Sequence, residues 1–511
     1  MSESLLTYPP RPIRFVHRGQ VQQVSGLPPT TSVLQWLREH AHCTGTKEGC
    51  AEGDCGACTV VVGELDDETG QLRTRTVNSC IQFLPTLDGK VLYTVEDVAQ
   101  GSELHPCQQA LVKEHGSQCG FCTPGFVMSL WHLYETHTEA PPRSELADAL
   151  AGNLCRCTGY RPILDAGQAM FQLPRVPRDH SADIAQLQAR QPHQDGPLLY
   201  VGPSAIHGGH AQRFVAPRTV DEVAYWLAQW PHARLLAGGT DVGLWVNKQF
   251  KDLGDIIYLG QVKSLARVAT TATHLEIGAT ASLETAWAAL VATWPTLREI
   301  WLRFASPPIR HAGTLGGNIA NGSPIGDGAP ILLALNASVV LRHGQHQREV
   351  PLSAFYVDYM RNVMTPGEWV ESIRVPLPHP SRPDTVRAYK VSKRRDSDIS
   401  AVCAAFALQL DGPTIVSARL AWGGMAATAK RAPLAEAALL GQPWSEATMR
   451  QAQSALAQDF TPLTDLRASD RHRQRVAANL LERFWLETRP DAPLEAEQVQ
   501  VWPASVSGAN P

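Results

Sequence analysis

Eight of the eleven cysteines in this 511-residue chain fall into two sets of four. Cys50, Cys55 and Cys58 follow C-x4-C-x2-C, with Cys80 further on. Cys119 and Cys122 in QCGFC are followed by Cys155 and Cys157 in CRC. The first spacing is that of a plant-type [2Fe–2S] cluster, with three thiolates from one loop and a distant fourth. Such a loop must turn its backbone N–H groups toward the sulfurs, and Gly49, Gly53 and Gly56 lie between the ligands where that freedom is needed. Zinc also takes four cysteines, but its knuckles favour two C-x2-C pairs and this set has one. The second set, read alone, is open between zinc and an iron–sulfur cluster. A chain with two such clusters in its first 160 residues moves single electrons.

Two glycine-rich segments, LLAGGTDVG and HAGTLGGNIANGSPIGDGAP, offer exposed backbone N–H groups that could cradle phosphate oxygens. Neither fits G-x-G-x-x-G after a strand, so a Rossmann fingerprint is not supported. The plainer alternative is two tight loops with no ligand. Cys43, Cys107 and Cys403 match no ligand position and read as small buried residues. None of the 18 histidines stands in a metal constellation, and no side chain is nominated as catalytic.

The elements that must position these residues form four segments. Residues 11–93 begin with strand-like text broken by a turn at Arg18-Gly19. A helix through SVLQWLREH, capped by Thr31 or Ser32, and strands in TVVVGEL and VNSCIQFL follow. Residues 94–174 read as a four-helix bundle, with a helix start at Thr94 to Asp97 and Pro124 in a first helical turn. Cys119 and Cys122 are placed at the start of one helix, and Cys155 and Cys157 at the end of another. Residues 175–197 are polar and aperiodic, a linker. Strands and helices alternate over 198–380, and 385–490 carries strands and then helices.

The length predicts two to four domains. A net charge of −4 gives no basic footprint, so nucleic acid is not an expected partner. No stretch approaches the roughly 18 apolar residues of a membrane span. An N-terminus without a secretory pattern and an odd cysteine count point to a reducing cytoplasm.

TGTKEGCAEGDCGACTV, HGSQCGFCTPGFVMSL and GNLCRCTGYRPILDA resemble the iron–sulfur domains of the molybdenum hydroxylases, the xanthine dehydrogenase and aldehyde oxidase family. RLLAGGTDVG and FASPPIRHAGTLGGNIANGSPIGD resemble the FAD-binding stretches of the same family. The resemblance implies a multidomain α+β chain. Its parts would be a β-grasp [2Fe–2S] ferredoxin domain, a four-helix [2Fe–2S] domain, a PCMH-type FAD domain of the vanillyl-alcohol oxidase kind, and a C-terminal α+β flavoprotein domain. It implies a [2Fe–2S] cluster on each cysteine set, the second nearer molybdenum. Leu235, Leu236, Ala237, Gly238, Gly239, Thr240, Asp241 and Val242 would wrap the pyrophosphate and adenosine side of FAD. Thr314, Gly317, Asn318 and Asp327 would follow the diphosphate and ribityl chain. Phe304 and Ala305 would lie against the isoalloxazine and Lys390 near the flavin, with a core aromatic and a solvated surface cation as the plainer readings of Phe304 and Lys390. Tyr359 aligns with an aromatic near the nicotinamide site, where the relatives' next residue is arginine and this chain has Met360, then Arg361.

The order of segments resembles the small subunit of bacterial two-subunit xanthine dehydrogenases. That implies a large molybdopterin-binding partner holding the molybdenum cofactor, an α2β2 heterotetramer, and NAD⁺ as acceptor for electrons taken from a purine. The same order would suit another molybdenum hydroxylase, for an aldehyde or N-heterocycle. A stand-alone flavin and iron–sulfur reductase is a further reading.

Overall fold

A computed structural model describes residues 8–189, 196–206, 210–381 and 383–499. The expected absence of a leader and the end of the linker fall partly on residues 1–7 and 190–195, outside the described residues. The chain divides into two compact units: residues 1–264 with 306–313, and 265–305 with 314–511.

In the first unit, β1 (Ile13–His17) and β2 (Gln20–Val24) form a hairpin through Arg18 and Gly19, both at positive φ (52° and 68°), as a two-residue turn of primed type requires. With β3 (Thr59–Leu65), β4 (Leu72–Asn78) and β5 (Val91–Tyr93) they make one sheet in the order β2-β1-β5-β3-β4. Ser32 caps α1 (Val33–Gln35): its hydroxyl accepts from Gln35 N, and the Gln35 side chain accepts from Ser32 N. The segment VNSCIQFL is not a continuous strand. β4 stops at Asn78, Ser79 Oγ donates to Cys58 O (2.7 Å), and a turn aims Cys80 at the cysteine loop. A strand would have carried that thiol along the sheet instead.

Four helices follow: α2 (Pro106–Lys113), α3 (Thr123–Thr136), α4 (Arg143–Ala149) and α5 (Arg161–Ala169). They close on Phe126, Leu130, Trp131, Leu146, Ile163 and Met170. Thr94 caps only a 3₁₀ turn, Val95–Asp97, before the chain leaves for α2. The stretch read as a linker contains α6 (Ser181–Ala189), tied down where Tyr93 Oη donates to Asp183 (2.7 Å) and Val176 N donates to Tyr134 Oη (2.9 Å).

A second sheet, in the order β6-β7-β9-β8, is built from β6 (Leu198–Pro203), β7 (Ala211–Ala216), β8 (Arg234–Leu236) and β9 (Ile256–Tyr258). Its last three strands are parallel, so the chain crosses over through α7 (Val220–Gln229) and α8 (Val242–Asn247). Tyr200, Phe214 and Ile256 share a core with Phe15 and Val60 of the first sheet and with Leu84 in the 3₁₀ turn after β4.

The second unit holds an antiparallel sheet in the order β10-β11-β16-β12-β13, from β10 (Val268–Thr270), β11 (His274–Gly278), β12 (Ser338–His343), β13 (His346–Pro351) and β16 (Trp369–Pro376). A hairpin of β14 (Tyr356–Asp358) and β15 (Arg361–Asn362) lies between. Against this sheet pack α9 (Leu283–Thr293) and α10 (Arg298–Leu302), then α12 (Leu315–Asn321) and α13 (Gly328–Ala334). Between α10 and α12, α11 (Pro307–Ala312) belongs to the first unit. A meander of β17 (Thr385–Val391), β18 (Val402–Asp411), β19 (Thr414–Gly423) and β20 (Lys430–Arg431) carries α14 (Pro433–Leu439), α15 (Glu446–Asp459) and α16 (Asp470–Thr488). Phe406, Trp422, Leu456 and Phe484 form its core. Among the described residues no helix is long and apolar enough to cross a membrane.

Candidate functional site

The sulfurs of each cysteine set gather in one place. Cys58 Sγ stands 3.3 Å from Cys80 Sγ, and Cys50 lies against both Cys80 and Cys55, whose N–H donates to Cys50 Sγ (3.4 Å). In the second set, Cys157 Sγ is 3.4 Å from Cys119 Sγ, and Cys122 lies against Cys155. These separations are far above the ~2.05 Å of a disulfide, and near the ~3.8 Å between two sulfurs on one tetrahedral metal with bonds of about 2.3 Å. Among the described residues no three His, Cys, Asp or Glu groups converge on one ion position. Four gathered cysteine sulfurs are the donors that a [2Fe–2S] cluster would take. Burial, with Cys155 alongside, pushes the Cys122 thiol up to about 12, so a metal must displace its proton.

The expected helix termini are met on one side only. Cys122 is the N-cap of α3, with Cys119 three residues ahead, but Cys155 and Cys157 lie in the loop between α4 and α5, not at a helix end. Leu154 in that loop donates its N–H to Cys55 O (3.0 Å), a contact that a continuing helix would forbid. Cys119 and Cys157 are exposed, whereas Cys58 and Cys80 are buried. Cys43, Cys107 and Cys403 are buried, and burial raises each thiol.

Of the expected flavin residues, Leu235 and Leu236 end β8, and Leu236 is buried in the core. Ala237 to Asp241 form the loop into α8, which starts at Val242. A Cβ on Gly238 would stand 2.1 Å from Ala312 O, and Gly239 takes φ +77°, so both positions require glycine. A Cβ on Gly243 would lie 2.8 Å from Ile81 O, beside Cys80. Asn247 Nδ2 donates to Cys80 O (2.8 Å) and Ala51 O (3.1 Å). No local pattern marks Asn247, whose partners lie more than 160 residues away.

In the second unit Thr314 caps α12, its hydroxyl accepting from Gly317 N (3.1 Å). Asn318 follows, its Oδ1 close to the space above Gly328. Lys390 is not a solvated cation. Its Nζ is 2.8 Å from Asp327 Oδ2, with the two side chains 3% and 6% exposed. Ser400, unremarked in the sequence, donates to the other Asp327 oxygen (2.5 Å). Phe304 is 6% exposed and its ring rests on Trp287, centroids 5.3 Å apart, which is a core position. Next to it Ala305 takes φ +52°. Tyr359 and Met360 are exposed at the tip of the β14–β15 hairpin, which Tyr356 Oη ties to Ile319 O (3.0 Å).

Family models match four stretches in this order. They are a 2Fe-2S iron-sulfur cluster binding domain (15–84), a [2Fe-2S] binding domain (94–168), an FAD binding domain in molybdopterin dehydrogenase (210–378) and a CO dehydrogenase flavoprotein C-terminal domain (387–488). The chain is 33% identical over 500 residues to a xanthine dehydrogenase of Emericella nidulans, covering 88% of this chain and 36% of that protein. The chain belongs to the molybdenum hydroxylases, as their iron–sulfur and flavin part. Within the family, a xanthine dehydrogenase/oxidase of Gallus gallus is 30% identical over 517 residues, 88% of this chain and 38% of that protein. The chain thus spans about a third of the length of these relatives. A solved carbon monoxide dehydrogenase from Hydrogenophaga pseudoflava matches 53% of this chain and 94% of its own, at 27% identity and TM-score 0.50.

Proposed function

We propose that this chain is the electron-relay subunit of a xanthine dehydrogenase, paired in an α2β2 assembly with a large chain that holds the molybdenum cofactor. A purine, hypoxanthine or xanthine, would be oxidised toward urate on that partner, and NAD⁺ would leave reduced. When bound, the clusters carry electrons singly and FAD joins one-electron to two-electron chemistry.

One observation carries the order of the relay. The cysteine set of the helical domain opens to the surface through Cys119 and Cys157, while the other set has no exposed member, buries Cys58 and Cys80, and is fastened through Cys80 and Ile81 to α8, which follows the glycine loop. Electrons would enter at Cys119, Cys122, Cys155 and Cys157, pass to Cys50, Cys55, Cys58 and Cys80, and leave toward FAD. This chain's own work is to hold: the thiolates would grip iron, Gly238 lets its loop close on Ala312 while Gly239 turns it, and Lys390 and Asp327 stay paired and dry. NAD⁺ would approach beside Tyr359 and Met360, exposed on their hairpin.

Cys155→Ala tests the order in the purified complex. FAD stays bound, NADH–dye reduction persists, and purine oxidation is lost. Loss of both activities with FAD retained overturns it. The likeness to carbon monoxide dehydrogenase favours a second reading, the same relay fed by another molybdenum substrate. Turnover of xanthine set against aldehydes and N-heterocycles separates the two.

A further inference from the structure

Where the two cysteine-bearing loops meet, backbone lies on backbone. A Cβ on Gly56 would stand 2.1 Å from Gly152 O, and one on Gly125 would stand 2.1 Å from Gly56 O. No side chain fits either place, so the loops touch at a separation that glycine alone permits. Asn153, 3% exposed, sits in this seam. Its Nδ2 donates to Gly56 O (3.0 Å) and to Thr59 Oγ1 (3.2 Å), and its Oδ1 accepts from Ser129 Oγ (2.7 Å) on α3. Both amide protons and the amide oxygen are thereby used. An aspartate could not donate to two acceptors, and an alanine would leave Ser129 without its acceptor. The next residue, Leu154, donates its N–H to the carbonyl of Cys55, and the one after is Cys155.

We propose that Asn153 is a positioning residue that sets the separation and orientation of the two iron–sulfur sites, and so the rate at which an electron crosses between them. This rests on the two-cluster reading above. The side-chain hydrogen bonds of Asn153 go to Gly56, Thr59 and Ser129 and not to a cysteine sulfur, so its influence is on geometry and not on which metal is held.

The test uses the purified complex with Asn153→Ala. Iron and FAD content match the parent, while the splitting that two reduced clusters impose on each other's paramagnetic resonance changes. Flavin reduction after purine addition lags behind reduction of the helical-domain cluster. Unchanged splitting and unchanged electron passage overturn the proposal. Should Asn153→Ala lose a cluster, Ser129→Ala decides, because it removes only the bond that orients the amide: altered splitting supports the positioning role, and parental splitting overturns it. Absence of any splitting in the unsubstituted complex overturns the two-cluster reading together with this one, before any variant is made.

Discussion

Lys390 and Asp327 show how a residue type misleads when its partner is far away in sequence. A lysine in RAYKVSKRRD looks solvated, yet it is buried against a carboxylate 63 positions earlier. Removing one member of such a pair strands the other charge away from water, at a cost of about 3–5 kcal/mol. Lys390→Met is therefore expected to lower the unfolding midpoint of the second unit and to release FAD, and adding Asp327→Asn should recover much of the lost stability. Denaturant titration of the two single variants and the double one reads this out, and equal midpoints in Lys390→Met and the double variant would count against it. The cysteines behave in the opposite way. Their spacing announces their chemistry, because ligands on one short loop are constrained by the loop itself. Their pairing, Cys58 with Cys80 and Cys119 with Cys157, needed the fold.

At the scale of elements, local signals held and long-range ones did not. The Arg18-Gly19 turn and the Ser32 cap are set within four residues of sequence, and both are present. The polar stretch 175–197 has no strong helical period, yet Tyr93 bonds Asp183, Tyr134 bonds Val176, and α6 forms there. Another junction ties β4, α3 and α11. His311 Nδ1 meets Thr76 Oγ1 (3.1 Å), His132 Nε2 meets Thr74 O (3.1 Å), and the two rings stand 6.1 Å apart. Burial lowers His132, and burial with His132 alongside lowers His311 to about 3, so both imidazoles stay neutral. Arg75 and Arg310 further oppose a charge on His311, whereas Glu135 favours one on His132. The unfolded chain takes up protons below its ordinary histidine value of about 6.5 and the folded chain does not. Stability is thus full above that pH and falls below it, by up to about 1.4 kcal/mol per pH unit for each proton. Thermal unfolding between pH 7.5 and 5 should show a shallower loss in His311→Gln than in the parent, and parallel profiles would remove the junction from this role.

Over the whole molecule, the division at residues 264 and 265 falls inside the stretch 198–380 that strand and helix alternation groups together. Each unit has its own apolar cores. Because thiolate clusters add their binding free energy to the fold that holds them, stripping iron with a chelator should lower the calorimetric transition of the first unit. The transition of the second, which carries none of the eight cysteines of the two sets, should stay in place. A parallel fall of both transitions would mean that the units unfold as one.

By itself the sequence determined the chemistry: two thiolate sets, glycine loops fit for phosphate, and the order of domains that the family models match. These are properties of residue type and short spacing, and neighbours in the chain enforce them. Only the tertiary structure decided that the loop of Gly238 lies beside Cys80, that Leu154 bonds Cys55, and that Asp327 keeps Lys390 from water. Such contacts join residues tens to hundreds of positions apart. They arise from burying shared apolar surface and satisfying buried polar groups, which no local pattern encodes.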